Sequence, residues 1–179
     1  MAVPLLATDR LLLRAPDVAD TAAWHAVWGD PEVIWWGADP DLTTSRRRIE
    51  RIRTVMERLP EGLGWWVVVE QASGGVVGTV ALDRSPVPEG SVEIGWHLRR
   101  DRWGLGYAAE AAAAVRDHGF GAAGLTRIVA TIVPENHRSV RVAERLGMVR
   151  VPPDVIRSRI RHGVWAVEAP GRSGVGLQG

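Results

Sequence analysis

The chain has 179 residues, 46% of them hydrophobic and 24% charged, a balance that fits one globular domain and excludes an intrinsically disordered chain. Its formal net charge of +1 argues against a nucleic-acid partner. The absence of cysteine excludes disulfides and thiolate metal sites, and the histidine spacing predicts no metal site either.

The first third of the chain predicts one strand and two helices separated by an irregular loop. Residues 10–14 form a short apolar run, and Asp17 or Asp20 can cap a helix that ends near Trp28. The loop covers residues 32–42, where tryptophan, glycine and proline interrupt any regular pattern. The predicted cap of the second helix is Thr43, Thr44 or Ser45. The apolar residues of this helix follow at helical spacing and are Ile49, Ile52, Val55, Met56 and Leu59.

Three strands joined by short turns are predicted next, at residues 64–70, 76–82 and 91–98. An alanine-rich helix then begins close to Gly106, and residues 127–133 form a buried strand. A strand–helix–strand passage of this kind predicts a parallel crossover. The predicted fold class is therefore α/β, with a mixed sheet in which an antiparallel meander precedes a β-α-β crossover and helices cover both faces.

The C-terminal part predicts a further helix and more strands. Asn136 can cap a helix that runs to Leu146, a strand is predicted at residues 148–151, and one or two more at residues 156–167. No apolar run has the length of a membrane span and the N-terminus lacks a signal pattern, so a cytoplasmic location without a membrane partner is predicted. We expect a single domain over residues 1–170 and a flexible tail at residues 171–179.

The glycine-rich turn between the third meander strand and the alanine-rich helix is the strongest functional signal. Gly104 and Gly106 stand immediately before the helix, where the first N–H groups have no acceptor within the helix and the helix dipole is positive. Glycine has no side chain to keep a phosphate away from the backbone. The turn therefore predicts an anion site, and a pyrophosphate would fit it.

Taken in order, these elements resemble the GNAT N-acetyltransferase superfamily, and its ribosomal-protein N-terminal acetyltransferase branch in particular. The turn is similar to the acyl-CoA pyrophosphate loop of that family, Q/R-x-x-G-x-G/A, with Trp103 in place of Gln or Arg. The resemblance covers about residues 8 to 168, and the other segments that carry it are residues 8–14, 92–96, 136–139 and 142–148.

The resemblance implies a GNAT-like fold and an enzyme that moves an acetyl group from acetyl-CoA, its co-substrate, to a primary amine. The implied acceptor is the α-amine of a peptide or protein, with a small-molecule amine as the wider class, and the protein would be a monomer or homodimer. The residues that the resemblance places against the cofactor are Ile94, Trp96, Leu98, Arg102, Trp103, Gly104, Leu105, Gly106, Tyr107, Ala108, Asn136 and Ser139.

The resemblance also implies two catalytic residues. Glu93 would accept the proton of the amine, and Ser139, or a water, would protonate the leaving thiolate because Ala143 stands where many relatives carry a tyrosine. From the residues alone, Glu93 can equally be a solvent-facing strand residue, and Ser139 a residue that hydrogen-bonds at a helix start. His97 can be a base or a structural histidine.

Two other functions fit the same turn. Residues 104–109 match the G-x-G-x-x-G/A fingerprint of NAD-binding oxidoreductases, although three antiparallel strands precede the motif where that fold would have its first parallel strand. An acyl-CoA-binding module of GNAT type that lacks catalysis is the second alternative, because Trp103 and Ala143 both depart from the family pattern.

Overall fold

The computed structural model describes residues 3–85, 90–152 and 163–170. Within these ranges the strands are β1 (Leu6–Ala7), β2 (Leu11–Arg14), β3 (Gly64–Glu70), β4 (Val76–Arg84), β5 (Val92–Leu98), β6 (Arg127–Ile132), β7 (Val149–Arg150) and β8 (Gly163–Glu168). The helices are α1 (Thr21–Trp28), α2 (Leu42–Met56), α3 (Tyr107–Phe120) and α4 (His137–Arg145), with short 3₁₀ turns at Val18–Asp20 and Arg100–Arg102.

All these strands belong to one mixed sheet in the order β1-β2-β3-β4-β5-β6-β8-β7. Neighbouring strands are antiparallel except β5 and β6, which are parallel and are connected through α3. The predicted α/β class, with an antiparallel meander before a β-α-β crossover, is confirmed. The strand predicted from residue 156 is observed at Gly163–Glu168, and residues 156–162 lie outside the described ranges.

The alternation of side chains divides the strands between two helical layers. Trp66 on β3 meets His118 of α3 edge-on, with ring centroids 5.7 Å apart, so its face of the sheet is covered by α3. Trp65 points to the other face and meets Trp24 of α1 at 6.2 Å. Close packing on the α3 side depends on Gly119, where an added Cβ would lie only 2.9 Å from Ile128 Cδ1.

The start of α2 differs from the prediction. Asp41, and not Thr43, Thr44 or Ser45, caps the helix, because its Oδ1 accepts a hydrogen bond from the Thr44 N–H at 2.7 Å. Ser45 is instead fully buried and donates its hydroxyl hydrogen to Asp39 at 2.9 Å. Any of these residue types can cap a helix, and the tertiary contact of Ser45 decided between them.

Candidate functional site

The sheet opens between β5 and β6. The two parallel strands share a single pair, Glu93 with Val129, although β5 continues to Leu98 and β6 to Ile132. Beyond that pair the strands diverge toward their C-terminal ends. The backbone of β5 therefore borders a gap in the sheet, at the end that leads into the glycine turn.

The glycine turn lies at the end of β5, as the sequence predicts. Gly104 and Gly106 have φ angles of +82° and +83°, a left-handed conformation that glycine adopts without strain. No described residue accepts a hydrogen bond from the backbone N–H groups of residues 104–109. A Cβ on Gly104 would meet no atom of the described residues within 4 Å, so the turn presents open backbone donors at the N-terminus of α3.

Arg10 holds this turn against the N-terminal strands. Its guanidinium donates to the Leu105 carbonyl at 3.0 Å, forms an ion pair with Glu110 at 2.5 Å and lies 4.6 Å from the Tyr107 ring centroid. Burial acts to raise the pKa of Glu110, but hydrogen bonds from Thr8 and Arg10 outweigh it and leave that pKa below its usual value. The sequence contains both residues, but nothing local indicates that they meet across 100 positions.

Tyr107 and Arg102 are held from the other side by Glu70, the last residue of β3. The Tyr107 hydroxyl donates to Glu70 at 2.6 Å, and the Arg102 guanidinium lies 3.8 Å from the same carboxylate. A hydrogen bond from Ser73 and then that from Tyr107 lower the pKa of Glu70, while the bond to Glu70 raises the pKa of Tyr107. The Tyr107 side chain is thus engaged within the protein, and its backbone N–H is the group that faces the turn.

Trp103 connects the turn to α4. Its indole N–H donates to the Leu98 carbonyl at 2.9 Å, and the Arg138 guanidinium lies 4.4 Å above its ring. Asn136 caps α4 as predicted, because its side chain accepts from the Ser139 N–H at 3.1 Å. The structure therefore brings the turn and the start of α4, two separate parts of the predicted cofactor site, next to each other.

The remaining predicted cofactor residues divide between core and surface. Ile94 and Leu98 are buried on the α3 face of β5, so their side chains belong to the core and only their backbone can border the gap. Trp96 and Ala108 are half-buried, whereas Leu105 is exposed. Ala143, the position of the missing tyrosine, is fully buried.

Glu93 lies at the point where β5 and β6 begin to part. Its Oε1 accepts hydrogen bonds from both the backbone N–H and the hydroxyl of Thr131 on β6, the first at 3.0 Å. Its Oε2 accepts from the Ser85 hydroxyl at 3.0 Å. The reading of Glu93 as a solvent-facing strand residue is wrong, since its carboxylate joins β5 to β6 and to the end of β4. Its role as a proton acceptor stays a prediction.

His97 lies on the face of the sheet opposite α3, beneath tryptophan rings. Its ring centroid is 4.6 Å from that of Trp28 and 5.6 Å from that of Trp36. Its Nδ1 is buried and has no hydrogen-bond partner in the described part of the chain. Burial, and then the charge of Arg48, lower the pKa of His97 to about 4, so its imidazole is neutral at pH 7.

A buried carboxylate, Asp39, fixes the loop between α1 and α2 above this histidine. It forms an ion pair with Arg48 at 2.7 Å and accepts the Ser45 hydroxyl, which lies 2.9 Å from His25 Nδ1. Arg48 also lies 4.8 Å from the Trp28 ring centroid. The sequence analysis missed this network, because its members are ordinary surface residue types whose burial depends on how the loop packs on α2.

Within the described residues, no group of three or more histidine, aspartate and glutamate side chains is arranged to hold a metal ion. None of the helices in the described ranges is long and apolar enough to cross a membrane.

The chain is similar to known proteins in both sequence and fold. Residues 10–149 match the family described as "Acetyltransferase (GNAT) domain". The chain is 30% identical to the uncharacterised N-acetyltransferase p20 of Bacillus licheniformis, over 79% of this chain and 80% of that protein.

Two solved structures are similar in fold. An acetyltransferase from Agrobacterium tumefaciens strain C58 superimposes with a TM-score of 0.78 at 29% identity, covering 94% of this chain and 96% of the other. Mycobacterium smegmatis RimJ, solved in complex with CoA-disulfide, gives a TM-score of 0.71 at 23% identity, covering 94% and 88% of the two chains.

Proposed function

The chain belongs to the GNAT acetyltransferase family and is an acetyl-CoA-dependent N-acetyltransferase, and we propose that its acceptor is the α-amine of a peptide or protein. We propose that it belongs to the ribosomal-protein N-terminal acetyltransferase branch. We further propose that residues 1–170 form the whole of one catalytic domain.

The proposed cofactor site is the glycine turn together with the start of α4. One observation carries it: the unpaired backbone donors of residues 104–109 stand beside the gap between β5 and β6. The pyrophosphate of acetyl-CoA would accept from those N–H groups at the positive end of the α3 dipole. Asn136 and Ser139, brought close by the contact of Arg138 with Trp103, would border the acyl arm. The CoA complex of the RimJ structure, which shares this fold, is consistent with such a site.

The reaction needs a neutral amine, because an ammonium ion has no lone pair. The amine nitrogen forms a bond to the thioester carbonyl carbon, the C–S bond breaks, and the CoA thiolate takes up a proton. We propose that Glu93, directly or through a water, receives the proton that the ammonium loses. The Oε2 atom of Glu93, with one hydrogen bond from Ser85, has a second lone pair for this contact. Ser139 is proposed to give its hydroxyl proton to the thiolate and to regain one, directly or through a water, from the nitrogen that becomes the amide.

An α-amine suits this chemistry better than a lysine side chain. An α-amino group has a pKa of about 8, against about 10.4 for a lysine ε-amine, so deprotonation near neutral pH costs less free energy. This argument and the likeness to the ribosomal-protein branch support the proposed acceptor.

The fold argues against an NAD-binding oxidoreductase. The glycine turn follows β5, the last strand of an antiparallel run, whereas a dinucleotide fold carries its fingerprint after the first strand of a parallel sheet. Calorimetric titration of the protein with acetyl-CoA and with NAD⁺ tests this point. We expect binding of acetyl-CoA alone, and tighter binding of NAD⁺ would contradict the assignment.

The acceptor is tested by measuring CoA release with peptides, polyamines and amino sugars, together with mass spectrometry of the products. Acetylated peptide N-termini are the expected products. Acetylation confined to amino sugars or polyamines would refute the α-amine proposal, and acetyl-CoA binding without CoA release from any amine would indicate a module without catalysis.

A further inference from the structure

The face of the sheet opposite α3 contains a depression between two larger pairs of residues. Three successive cross-strand pairs of β4 and β5 point to this face: Thr79 with His97, Ala81 with Gly95, and Asp83 with Glu93. In the middle pair the only side-chain carbon is the methyl group of Ala81, since Gly95 has no side chain. The pairs on either side have larger side chains. The floor of the depression is therefore Ala81 and Gly95.

The space above Gly95 is open with respect to the described residues. Among them, an added Cβ would have a single neighbour within 4 Å, the Cε1 atom of His97 at 3.9 Å. Cε1 is bonded to both ring nitrogens. One of them, Nδ1, is buried and has no hydrogen-bond partner in the described residues. On the β6 side no strand ladder closes the space, because β5 and β6 share only their first pair. The depression thus opens into the gap beside which the cofactor is proposed to bind.

Among the described residues, the charges around the depression are negative on balance. Asp83 and Glu93 are adjacent carboxylates at one end, both half-buried. On the other side, Arg48, whose charge acts on His97, is neutralised by the buried carboxylate of Asp39 at 2.7 Å. His97 carries no charge at neutral pH. A positively charged group would therefore be attracted to this site and a carboxylate repelled.

The other walls are aromatic. Trp65 stands beside Ala81 on the β3 side and donates its indole N–H to Asp83 at 3.3 Å. Trp28 lies at the opposite end, with its N–H on Thr79 and its ring 5.7 Å from Trp65 and 4.6 Å from His97. Trp36 covers the outer side of His97 and is 55% exposed, so a bound group can reach its ring. Such walls favour a flat apolar group and also stabilise a neighbouring cation.

We propose that this depression is the acceptor site, and that it selects a primary ammonium ion whose substituent is flat and apolar, such as an aryl group, over acidic amines. The ammonium lies between the Asp83–Glu93 carboxylates and His97, and the aryl group packs against Trp28 and Trp36. The inference rests on the proposed N-acetyltransferase function and names the chemical class of its acceptor. For a peptide acceptor, the first side chain would be aromatic or large and apolar.

Binding to the full chain in the presence of CoA tests the site without requiring turnover. Calorimetry compares 2-phenylethylamine with propylamine, which lacks the ring, and with 3-phenylpropanoate, which replaces the ammonium by a carboxylate. We expect 2-phenylethylamine to bind at least about tenfold more tightly than propylamine, and no binding of the acid. Equal affinity for the two amines, or binding of the acid, would overturn the proposal.

Variants locate the site. Gly95→Val adds a side chain to the depression, and its Cβ would have no backbone atom of the described residues within 4 Å. It should abolish 2-phenylethylamine binding while thermal melting stays near that of the wild type. Asp83→Asn keeps an acceptor for the Trp65 N–H but removes one negative charge. It should therefore weaken the binding of both 2-phenylethylamine and propylamine. Trp36→Ala should remove the preference for the ring. Trp35→Ala is the control, because Trp35 is 57% exposed and meets Trp36 edge-on at 5.5 Å without itself contacting the His97 ring. Unchanged affinity in the Gly95 variant would place the acceptor elsewhere.

Acetylation of peptides that begin with Phe, Ser or Asp separates this inference from the proposed function. Faster acetylation of the Phe peptide supports both. If all three peptides are acetylated at equal rates, the acceptor site described here is wrong and the α-amine proposal stands. If no peptide is acetylated but 2-phenylethylamine binds and reacts, the α-amine proposal fails and the site stands.

Discussion

Substitution of Glu93 distinguishes a catalytic carboxylate from one that only joins strands. In Glu93→Gln, the amide oxygen can still accept both Thr131 donors and the amide nitrogen can donate to Ser85. Replacing charge-assisted hydrogen bonds by neutral ones costs about 1 kcal/mol of folding free energy. Glu93→Ala leaves those donors without an acceptor at the opening of the sheet, a loss of about 3 kcal/mol. For a chain of this length, the alanine variant should melt about 6–12 °C below the wild type.

The activities of the two variants carry the test. If Glu93 receives the proton, the glutamine variant should lose about 10²–10⁴-fold in kcat at neutral pH, although it folds nearly as well as the wild type. The loss should shrink as the pH rises, because the amine then arrives neutral. The affinity for acetyl-CoA should stay near that of the wild type, since the glycine turn is unchanged.

CoA release measured across pH, with calorimetric melting of both variants, gives the answer. A glutamine variant whose maximal rate and acidic limb both match the wild type would refute the catalytic reading. Combined with a destabilised alanine variant, that result would make Glu93 a positioning residue that holds β5 against β6.

Three further changes test other parts of the structure. Gly106→Asp should raise the dissociation constant for acetyl-CoA at least about tenfold in calorimetry. Gly124→Asp is the control, because Gly124 also has positive φ and its Cβ would meet no described atom within 4 Å; equal effects would mean that the turn does not contact the cofactor. Arg48→Met should destabilise the protein by about 3–5 kcal/mol in urea, because it leaves the Asp39 carboxylate buried without its partner, and a loss below about 1 kcal/mol would contradict this. Because the folded protein lowers the pKa of His97 from 6.5 to about 4, the unfolded chain binds its proton first, and stability is lost as the pH falls through that window. Over the same pH range, the unfolding free energy of His97→Gln should change less than that of the wild type. If the two proteins lose stability equally as the pH falls, His97 is accessible to protons in the folded protein.

The sequence alone determined the features that depend on local pattern. Residues 104–109 predict a glycine turn followed by a helix, because glycine leaves the backbone free of side chains and alanine favours the helix that follows. The apolar runs of β3, β4 and β5, joined by short turns, predict an antiparallel meander, and the strand–helix–strand passage predicts a parallel neighbour. These signals are sufficient for the fold class and for the position of the candidate cofactor turn.

Tertiary structure decided which polar side chains meet. Arg10 and Glu110 are 100 positions apart, and Glu93 meets Thr131 across 38, so no period in the sequence connects them. Asp41 caps α2, because Ser45 is buried and donates its hydroxyl hydrogen to Asp39. The depression over Ala81 and Gly95 exists because strand register sets two small residues side by side between an acidic pair and a histidine. Register depends on the pairing of whole strands, and that pairing is fixed only when the sheet and its covering helices pack together.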